Sequence, residues 1–197
     1  MIVTFVPETH QYFNERGVEV PSVTQILKAT GRISHGNASE ELLASSSKKG
    51  VAIHWLCQLG DEGGVDMRKV PKALRPYRKA WMRWCEASGF VTTEVEHQFI
   101  SPWGYAGTID RVGYFQRGKI IESAVIDLKS GTAIPASTNL QLIGYGAARF
   151  KNPCRRVALR IGPDGQYKAK EYPVSTWYTD LAEFLELVKK VRNGNHN

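Results

Sequence analysis

The pattern of apolar and polar positions changes character along the chain, and each change marks a predicted element. Alternating apolar residues predict a small hairpin over residues 3–20. Ser22 then has the position and chemistry of an N-cap for a short helix over residues 23–28. A longer amphipathic helix is predicted over residues 39–58, with a loop before it at 32–38. The N-terminal region is therefore expected to be a hairpin followed by helices.

The rest of the chain alternates between helical and strand periodicity. The predicted elements are a helix at 71–87, strands at 91–101, 105–116 and 119–129, a helix at 136–150, strands at 155–161 and 166–173, and a helix at 176–191. This order predicts an α+β (mixed α/β) domain whose central mixed sheet is flanked by helices.

A length of 197 residues fits a single domain. We divide it into an N-terminal hairpin and helices (1–66), a central core (67–161) and a C-terminal strand and helix (162–197). An acidic, glycine-rich loop is expected at 60–66. No apolar run is long enough to span a membrane, and the first residues do not look like a secretory signal, so we expect a cytoplasmic protein.

Charge and cysteine content narrow the function. Lys and Arg number 26 against 19 Asp and Glu, a net charge of +7 that favours a polyanionic partner. Residues 68–83 carry seven basic side chains and no acidic one, and a second basic group lies at 151–160. Two solvated faces are the alternative interpretation. The three cysteines are far apart and form no CxxC pair, which argues against a disulfide framework, a zinc ribbon or an iron–sulfur cluster.

Two aspartates and a lysine on adjacent predicted strands are the candidate chemistry. A two-residue turn at residues 117–118 would place Asp110 opposite Val125. Opposed residues share a face of the sheet, and that face repeats every second residue. Asp110, Asp127 and Lys129 are therefore predicted on one side of the sheet, with the two aspartates as diagonal neighbours.

Two carboxylates on one face repel each other unless a cation lies between them. Oxygen ligands from two side chains, with coordination positions left open, suit Mg²⁺ or Mn²⁺ together with a phosphate substrate. Lys129 could align the attacking water or stabilise charge in the transition state. A structural Asp–Lys salt bridge is the alternative, because short D-x-K patterns are common.

Asp110, followed along this chain by Asp127-Leu128-Lys129, resembles the catalytic core motif of the PD-(D/E)XK nucleases. The GVAIH sequence at 50–54 is similar to the GxxxH helix of one branch, and QLIGY at 141–145 is similar to its QxxxY helix. That branch holds the lambda-type phage exonucleases, the RecB nuclease domain and the mitochondrial genome-maintenance exonuclease. The opening, in which His10-x-Tyr12 is followed by VPSVTxIL at 20–27, resembles the N-terminus of phage-encoded members.

The resemblance implies a restriction-endonuclease-like αβββαβ core and assigns roles residue by residue. His54, Asp110, Asp127 and the carbonyl of Leu128 would be metal ligands. Lys129 would be the catalytic lysine, and the implied catalytic set comprises Lys129, Asp127, Asp110, Gln141 and Tyr145. Gln141 and Tyr145 share a helix face, so they could contact the phosphate, the metal-bound water or Lys129.

Other residues have less certain roles. One of Glu94 and Glu96, with Glu96 preferred, resembles an acidic residue of the first strand. Arg111 could bind a DNA phosphate or pair with Glu122. Trp103 or Tyr105 could stack on a frayed base, although hydrophobic packing is the alternative. The predicted DNA-binding set comprises Arg75, Arg78, Lys79, Arg111 and Ser130.

The sequence thus predicts a Mg²⁺-dependent DNA exonuclease for which Mn²⁺ can substitute, acting on linear duplex ends in phage-type recombination or replication. A structure-specific endonuclease on the same core and a non-catalytic DNA-binding module are the alternatives. The resemblance also implies a phage-infected or bacterial host cell, and a single-strand annealing protein as partner. Oligomeric state, polarity, strand preference and the number of metal ions stay open.

Overall fold

The structure is a computed structural model that describes residues 3–33 and 39–194. The helices are α1 (Val23–Ala29), α2 (Glu40–Asp61), α3 (Arg75–Ser88), α4 (Thr138–Arg149) and α5 (Trp177–Gly194), with a 3₁₀ turn at Val174–Thr176. The strands are β1 (Thr4–Val6), β2 (Gln11–Phe13), β3 (Glu19–Val20), β4 (Phe90–Ser101), β5 (Tyr105–Arg117), β6 (Ile120–Lys129), β7 (Arg155–Ile161) and β8 (Tyr167–Tyr172). None of the helices in these ranges has the length and apolar character needed to cross a bilayer.

The main sheet has five strands in the order β4-β5-β6-β7-β8. All neighbours are antiparallel except β6 and β7, which are parallel and joined through α4. Parallel strands need a crossover of this kind, whereas the other connections are short turns. The order α3-β4-β5-β6-α4-β7 is that of the predicted αβββαβ core and confirms the mixed α+β class, which is consistent with a restriction-endonuclease-like fold.

Both faces of the sheet are buried, and the side chains of β6 pack alternately into the two clusters that cover them. Ile126 and Leu128 pack into a cluster with Trp81 of α3, whereas Val125 packs into a second cluster with Phe184 of α5. Successive side chains of a strand point to opposite faces. Asp127 has the same parity as Val125, so its side chain projects towards the α1, α4 and α5 side.

The β5–β6 hairpin corrects the predicted register. The predicted pairing set Asp110 opposite Val125, but the structure pairs Val112 with Val125 because the turn lies at Gly118-Lys119. Gly118 has a φ of 61°, the left-handed region that glycine adopts readily. The register moves by two residues, so every side chain keeps its predicted face.

The N-terminal region also differs from the prediction. β1, β2 and β3 form a three-stranded antiparallel sheet rather than a hairpin. Ser22 caps α1 as predicted, because its hydroxyl accepts a hydrogen bond from the Gln25 amide at 3.1 Å. Helix α2 continues to Asp61, so the predicted loop at 60–66 begins later than expected. Most of the predicted loop at 32–38 lies outside the described residues.

Candidate active site

Three acidic side chains form one row across the sheet: Glu96 on β4, Asp110 on β5 and Asp127 on β6. The observed pairs that flank them are Val95 with Arg111, His97 with Ile109, and Arg111 with Ile126. The same registers place Asp110 opposite Glu96 on one side and opposite Asp127 on the other. All three line one cavity of about 480 Å³. Sequence reasoning placed Asp110 and Asp127 on this face correctly but as diagonal rather than direct neighbours.

Glu96 enters the row through an unusual backbone conformation. Its φ is 47°, although it is neither glycine nor asparagine. Such a conformation costs on the order of 1–3 kcal/mol, and it clusters at functional sites where the surrounding structure holds it in place. The pairing of β4 with β5 is also irregular just before it, between Thr92 and Glu94. Glu94 itself pairs with His97 and Arg149 rather than joining the acids of the row.

Helix α2 brings His54 to this row. Its Nδ1 lies 3.5 Å from Asp110 Oδ1 and 3.9 Å from Glu96 Oε1. Its Nε2 lies 3.1 Å from the carbonyl oxygen of Leu128. The ligand atoms of His54, Glu96 and Asp110 are all within 4.8 Å of one another, a spacing that could hold a metal ion.

The chemistry of these donors fits a divalent cation. Ligand atoms about 2.1 Å from a cation are separated by roughly 3–4 Å, so only a small contraction is needed. One nitrogen and two carboxylate oxygens suit Mn²⁺ or Mg²⁺, with positions left for water and phosphate. Glu96 is an addition to the predicted ligands. Asp127 contacts Lys129 and the Leu128 carbonyl contacts His54 in this structure, and their predicted role as ligands stays a prediction.

The pKa values of the residues in this row reflect the excess of negative charge in the cavity. Burial opposes charging of His54, but the charge of Asp110, its hydrogen bond, and Glu96 together raise the His54 pKa to about 9. Burial and the charge of Asp110 raise the pKa of Glu96 to about 7. Burial would raise the pKa of Asp110, but His54 and Lys129 hold it below its usual value. A bound cation would stabilise the same carboxylates and displace the proton of His54.

Asp127 and Lys129 begin a chain of polar contacts that runs to α4. Lys129 Nζ lies 3.0 Å and 2.8 Å from the two carboxylate oxygens of Asp127, which is 2% exposed. Lys129 also donates to Gln141 Oε1 at 3.0 Å, and the Gln141 amide donates to the Tyr145 hydroxyl at 2.8 Å. The structure therefore brings together the whole predicted catalytic set, with Asp110 beside Asp127.

The ammonium of Lys129 is held in its charged form. Burial lowers the pKa of Lys129, but the charge and hydrogen bond of Asp127 more than offset this and leave that pKa raised. Burial raises the pKa of Asp127 to about 6, with Lys129 opposing the shift and Asp110 adding to it. The Gln141 side-chain oxygen accepts a hydrogen bond from the Lys129 ammonium and so orients it.

Arg111 is a correction to the predicted DNA contacts. Its side chain is 0% exposed, so it cannot reach a DNA phosphate, and it does not pair with Glu122. Its Nε donates to Asp61 Oδ2 at 2.6 Å, and Nη1 donates to the Asp110 carbonyl at 2.5 Å and to Glu96 at 3.4 Å. Arg111 therefore supports two of the acids from behind the site.

Asp61 is the residue that sequence reasoning missed. It also accepts a hydrogen bond from the Trp81 indole at 2.7 Å. Asp61 follows His54 by seven residues, about two helical turns, so both lie on the same face of α2. The spacing from His54 was present in the sequence, but the three glycines within residues 60–66 indicated a loop.

The other predicted DNA contacts lie outside the acidic cavity. Arg75, Arg78 and Lys79 line a separate shallow depression on α3. Arg75 donates to the carbonyls of residues 68 and 70, whereas Lys79 is exposed. Ser130 is half-buried against α2, where its Oγ would lie 3.6 Å from a Cβ on Gly50. Their contact with DNA stays a prediction.

Two further predictions need correction. In the second basic group, Arg156 is fully buried and pairs with Asp180, and Arg155 pairs with Glu171, so these residues stabilise the fold. Tyr105 is also fully buried, with its hydroxyl donating to the Gly144 carbonyl at 2.8 Å, and it cannot stack on a base. Trp103 is partly exposed but stacks on Tyr105 and does not line the cavity.

The comparisons with known proteins give remote similarities. No family model matches the chain, and no curated protein matches it. Among solved structures it is similar to an alkaline exonuclease (LHK-Exo) from Laribacter hongkongensis, with 13% identity, a TM-score of 0.40, and 89% of this chain and 92% of that chain covered. LHK-Exo in complex with dAMP matches with a TM-score of 0.33 at 13% identity, covering 90% and 93%. The protein SSO0001 matches with a TM-score of 0.31 at 13% identity, covering 84% of each chain. Similarities this remote leave the chemistry of the site to be argued from its own residues.

Proposed function

We propose that this protein is a divalent-metal-dependent deoxyribonuclease, most simply an exonuclease that removes nucleotides from linear DNA ends. The observation that carries the proposal is the row of Glu96, Asp110 and Asp127, flanked by His54 and Lys129 in one cavity. A non-catalytic binding site for DNA would not gather three carboxylates, because they repel phosphate unless a cation is present.

His54, Glu96 and Asp110 would hold the metal, and Asp127 could join them from the same row. A bound Mg²⁺ or Mn²⁺ neutralises phosphate charge and lowers the pKa of bound water, which provides a nucleophile near neutral pH. Arg111 keeps the Glu96 carboxylate and the Asp110 backbone in place from behind the sheet. Arg111 thus helps to hold the acids in one row from the buried side, whereas Lys129 and His54 contact them from within the cavity.

Lys129 would act on the phosphate. Its ammonium is charged, lies at the cavity wall, and is fixed by Asp127 and by Gln141. A cation in this position stabilises the negative charge that develops on the phosphoryl oxygens as water attacks. Tyr145 orients Gln141 and so fixes Lys129 indirectly.

The net charge of +7 and the exposed Lys79 support binding of a DNA backbone without sequence reading. The wider setting is a proposal that rests on the family resemblance: phage-type recombination or replication in a bacterial host cell, with a single-strand annealing protein as partner.

The test is digestion of linear and covalently closed circular duplex DNA with Mg²⁺ or with EDTA. We expect metal-dependent loss of the linear DNA alone, and loss of that activity in Asp127→Ala. Glu186→Gln is the matched control, since Glu186 is an exposed acid of α5 that pairs with Lys189 and does not line the cavity.

Each other result has a defined meaning. Cutting of the closed circle would replace the exonuclease with an endonuclease on the same site. No cutting of linear, single-stranded or flapped DNA, with DNA retained in EDTA, would overturn the nuclease proposal in favour of a binding module.

A further inference from the structure

The cavity above the catalytic acids has a second wall of aromatic side chains that the proposed reaction does not use. The N-terminal sheet contributes Phe5 and Tyr12, the turn between β1 and β2 contributes His10, and α2 contributes Trp55. Trp55 directly follows His54 in the chain and is 60% exposed. A single exposed tryptophan is not informative by itself, but Trp55 lines the same cavity as the aromatic side chains of the N-terminal region.

The aromatic side chains of the N-terminal sheet form one assembly. The Phe5 and Tyr12 rings stack with centroids 4.7 Å apart, and His10 meets Phe5 edge-on at 5.2 Å. The Tyr12 hydroxyl lies 2.8 Å from Thr108 Oγ1. Since Thr108 is two residues before Asp110 on β5, this contact ties the aromatic wall to the strand that carries the acids.

Backbone strain marks the same cavity. Among the described residues, the non-glycine positions with a left-handed φ are His10, at 55°, and Glu96, at 47°. Both line this cavity, although His10 lies in the turn between β1 and β2 and Glu96 lies on β4 of the main sheet. Such conformations persist where surrounding structure holds them and cluster at ligand clamps and active sites.

We infer that Trp55, Phe5 and His10 bind an unpaired nucleobase of the DNA strand whose phosphate lies at the acids, while the buried Tyr12 supports the Phe5 ring from behind. The inference rests on the proposed function and specifies its substrate. A cavity of about 480 Å³ falls within the size range of small-ligand sites, which is large enough for a nucleotide. Aromatic faces stack on any base, so this contact would hold the strand without reading its sequence.

The experiment measures binding of short single-stranded oligodeoxynucleotides in Ca²⁺, without turnover, by fluorescence anisotropy. One oligonucleotide is intact, and two others carry an abasic nucleotide at the 5′ or the 3′ end. We expect Trp55→Ala to weaken binding of the intact strand by about 5-fold to 150-fold, the effect of losing one base–aromatic stack. One of the abasic strands should bind the wild type more weakly by a similar factor and should lose nothing further in Trp55→Ala.

Two variants serve as controls. Trp55→Phe keeps an aromatic face and should retain most of the affinity. Trp103→Ala removes a partly exposed tryptophan outside the cavity and should bind like the wild type.

The failure of this inference is distinguishable from failure of the nuclease proposal. If the wild type digests linear DNA but Trp55→Ala binds all three strands as the wild type does, the base-binding wall is wrong and the nuclease stands. If the losses from Trp55→Ala and from the abasic ends multiply, Trp55 contacts something other than that base, and the inference is again wrong. If no DNA is digested but the Trp55 and abasic effects coincide, the wall stands and the nuclease falls.

Discussion

Replacing Arg111 with methionine tests whether this arginine supports the site or binds DNA. In the structure its fully buried guanidinium lies 2.6 Å from Asp61, whose side chain is 15% exposed. Removing one partner of a buried ion pair leaves the other charge desolvated, which costs about 3–5 kcal/mol. For a protein of this size, that loss lowers Tm by roughly 6–20 °C.

Differential scanning calorimetry of Arg111→Met against Arg68→Met measures the effect. Arg68 pairs with Asp66 at 3.0 Å, but its side chain is 91% exposed, so the control should melt like the wild type. Adding Asp61→Asn to Arg111→Met should recover part of the lost stability, because residue 61 then no longer carries an unpaired, largely buried negative charge. An Arg111→Met protein with unchanged Tm, but with weaker DNA binding and a shallower salt dependence, would refute the structural role.

Three further predictions address the site, the core and a helix cap. Affinity for Mn²⁺, measured by titration calorimetry, should rise as pH increases through about 7 and about 9, because Glu96 and His54 must lose protons to bind the ion; a pH-independent affinity would contradict the ligand set. Gly144→Ala places a Cβ 2.9 Å from the Phe184 ring and should cost about 1–3 kcal/mol in urea unfolding. Gly131→Ala, with open space around it, is its control, and equal stability of the two would be the contrary result. Ser22→Ala removes the N-cap of α1 and should cost about 1 kcal/mol in the same unfolding assay, whereas an unchanged midpoint would show that the cap contributes nothing.

The sequence predicted the fold well where the period of apolar residues was unambiguous. The long strands β4 to β6 and the helices beside them follow from alternation and from turn residues. The hairpin register could not be predicted, because either pair of residues at 117–119 could form the turn. The face of Asp110 survived the error, since a shift by two residues preserves the alternation.

The site was predictable where short-range spacing decided it. Gln141 and Tyr145 share a helix face, and Asp127 and Lys129 share a strand face. Glu96 was preferred over Glu94 only by resemblance, and its left-handed φ is indicated neither by its residue type nor by its neighbours.

The predicted contact of Arg111 with DNA was wrong, although the sequence contained an indication against it. It follows Asp110 directly on a strand, so its side chain must leave from the opposite face. Its partner, Asp61, was hidden because the glycines near residue 60 predicted the end of α2 too early. Tertiary contacts to Arg111 and Trp81 hold this last turn as helix.

The most direct test of the account is a crystal structure of the protein grown with Mn²⁺, with anomalous scattering data recorded for the ion. We expect an anomalous peak within about 2.2 Å of ligand atoms from His54, Glu96 and Asp110, and loss of that peak in Asp110→Asn. A peak elsewhere, or an empty site at saturating Mn²⁺, would contradict the claim that this row of acids is a metal-dependent catalytic centre.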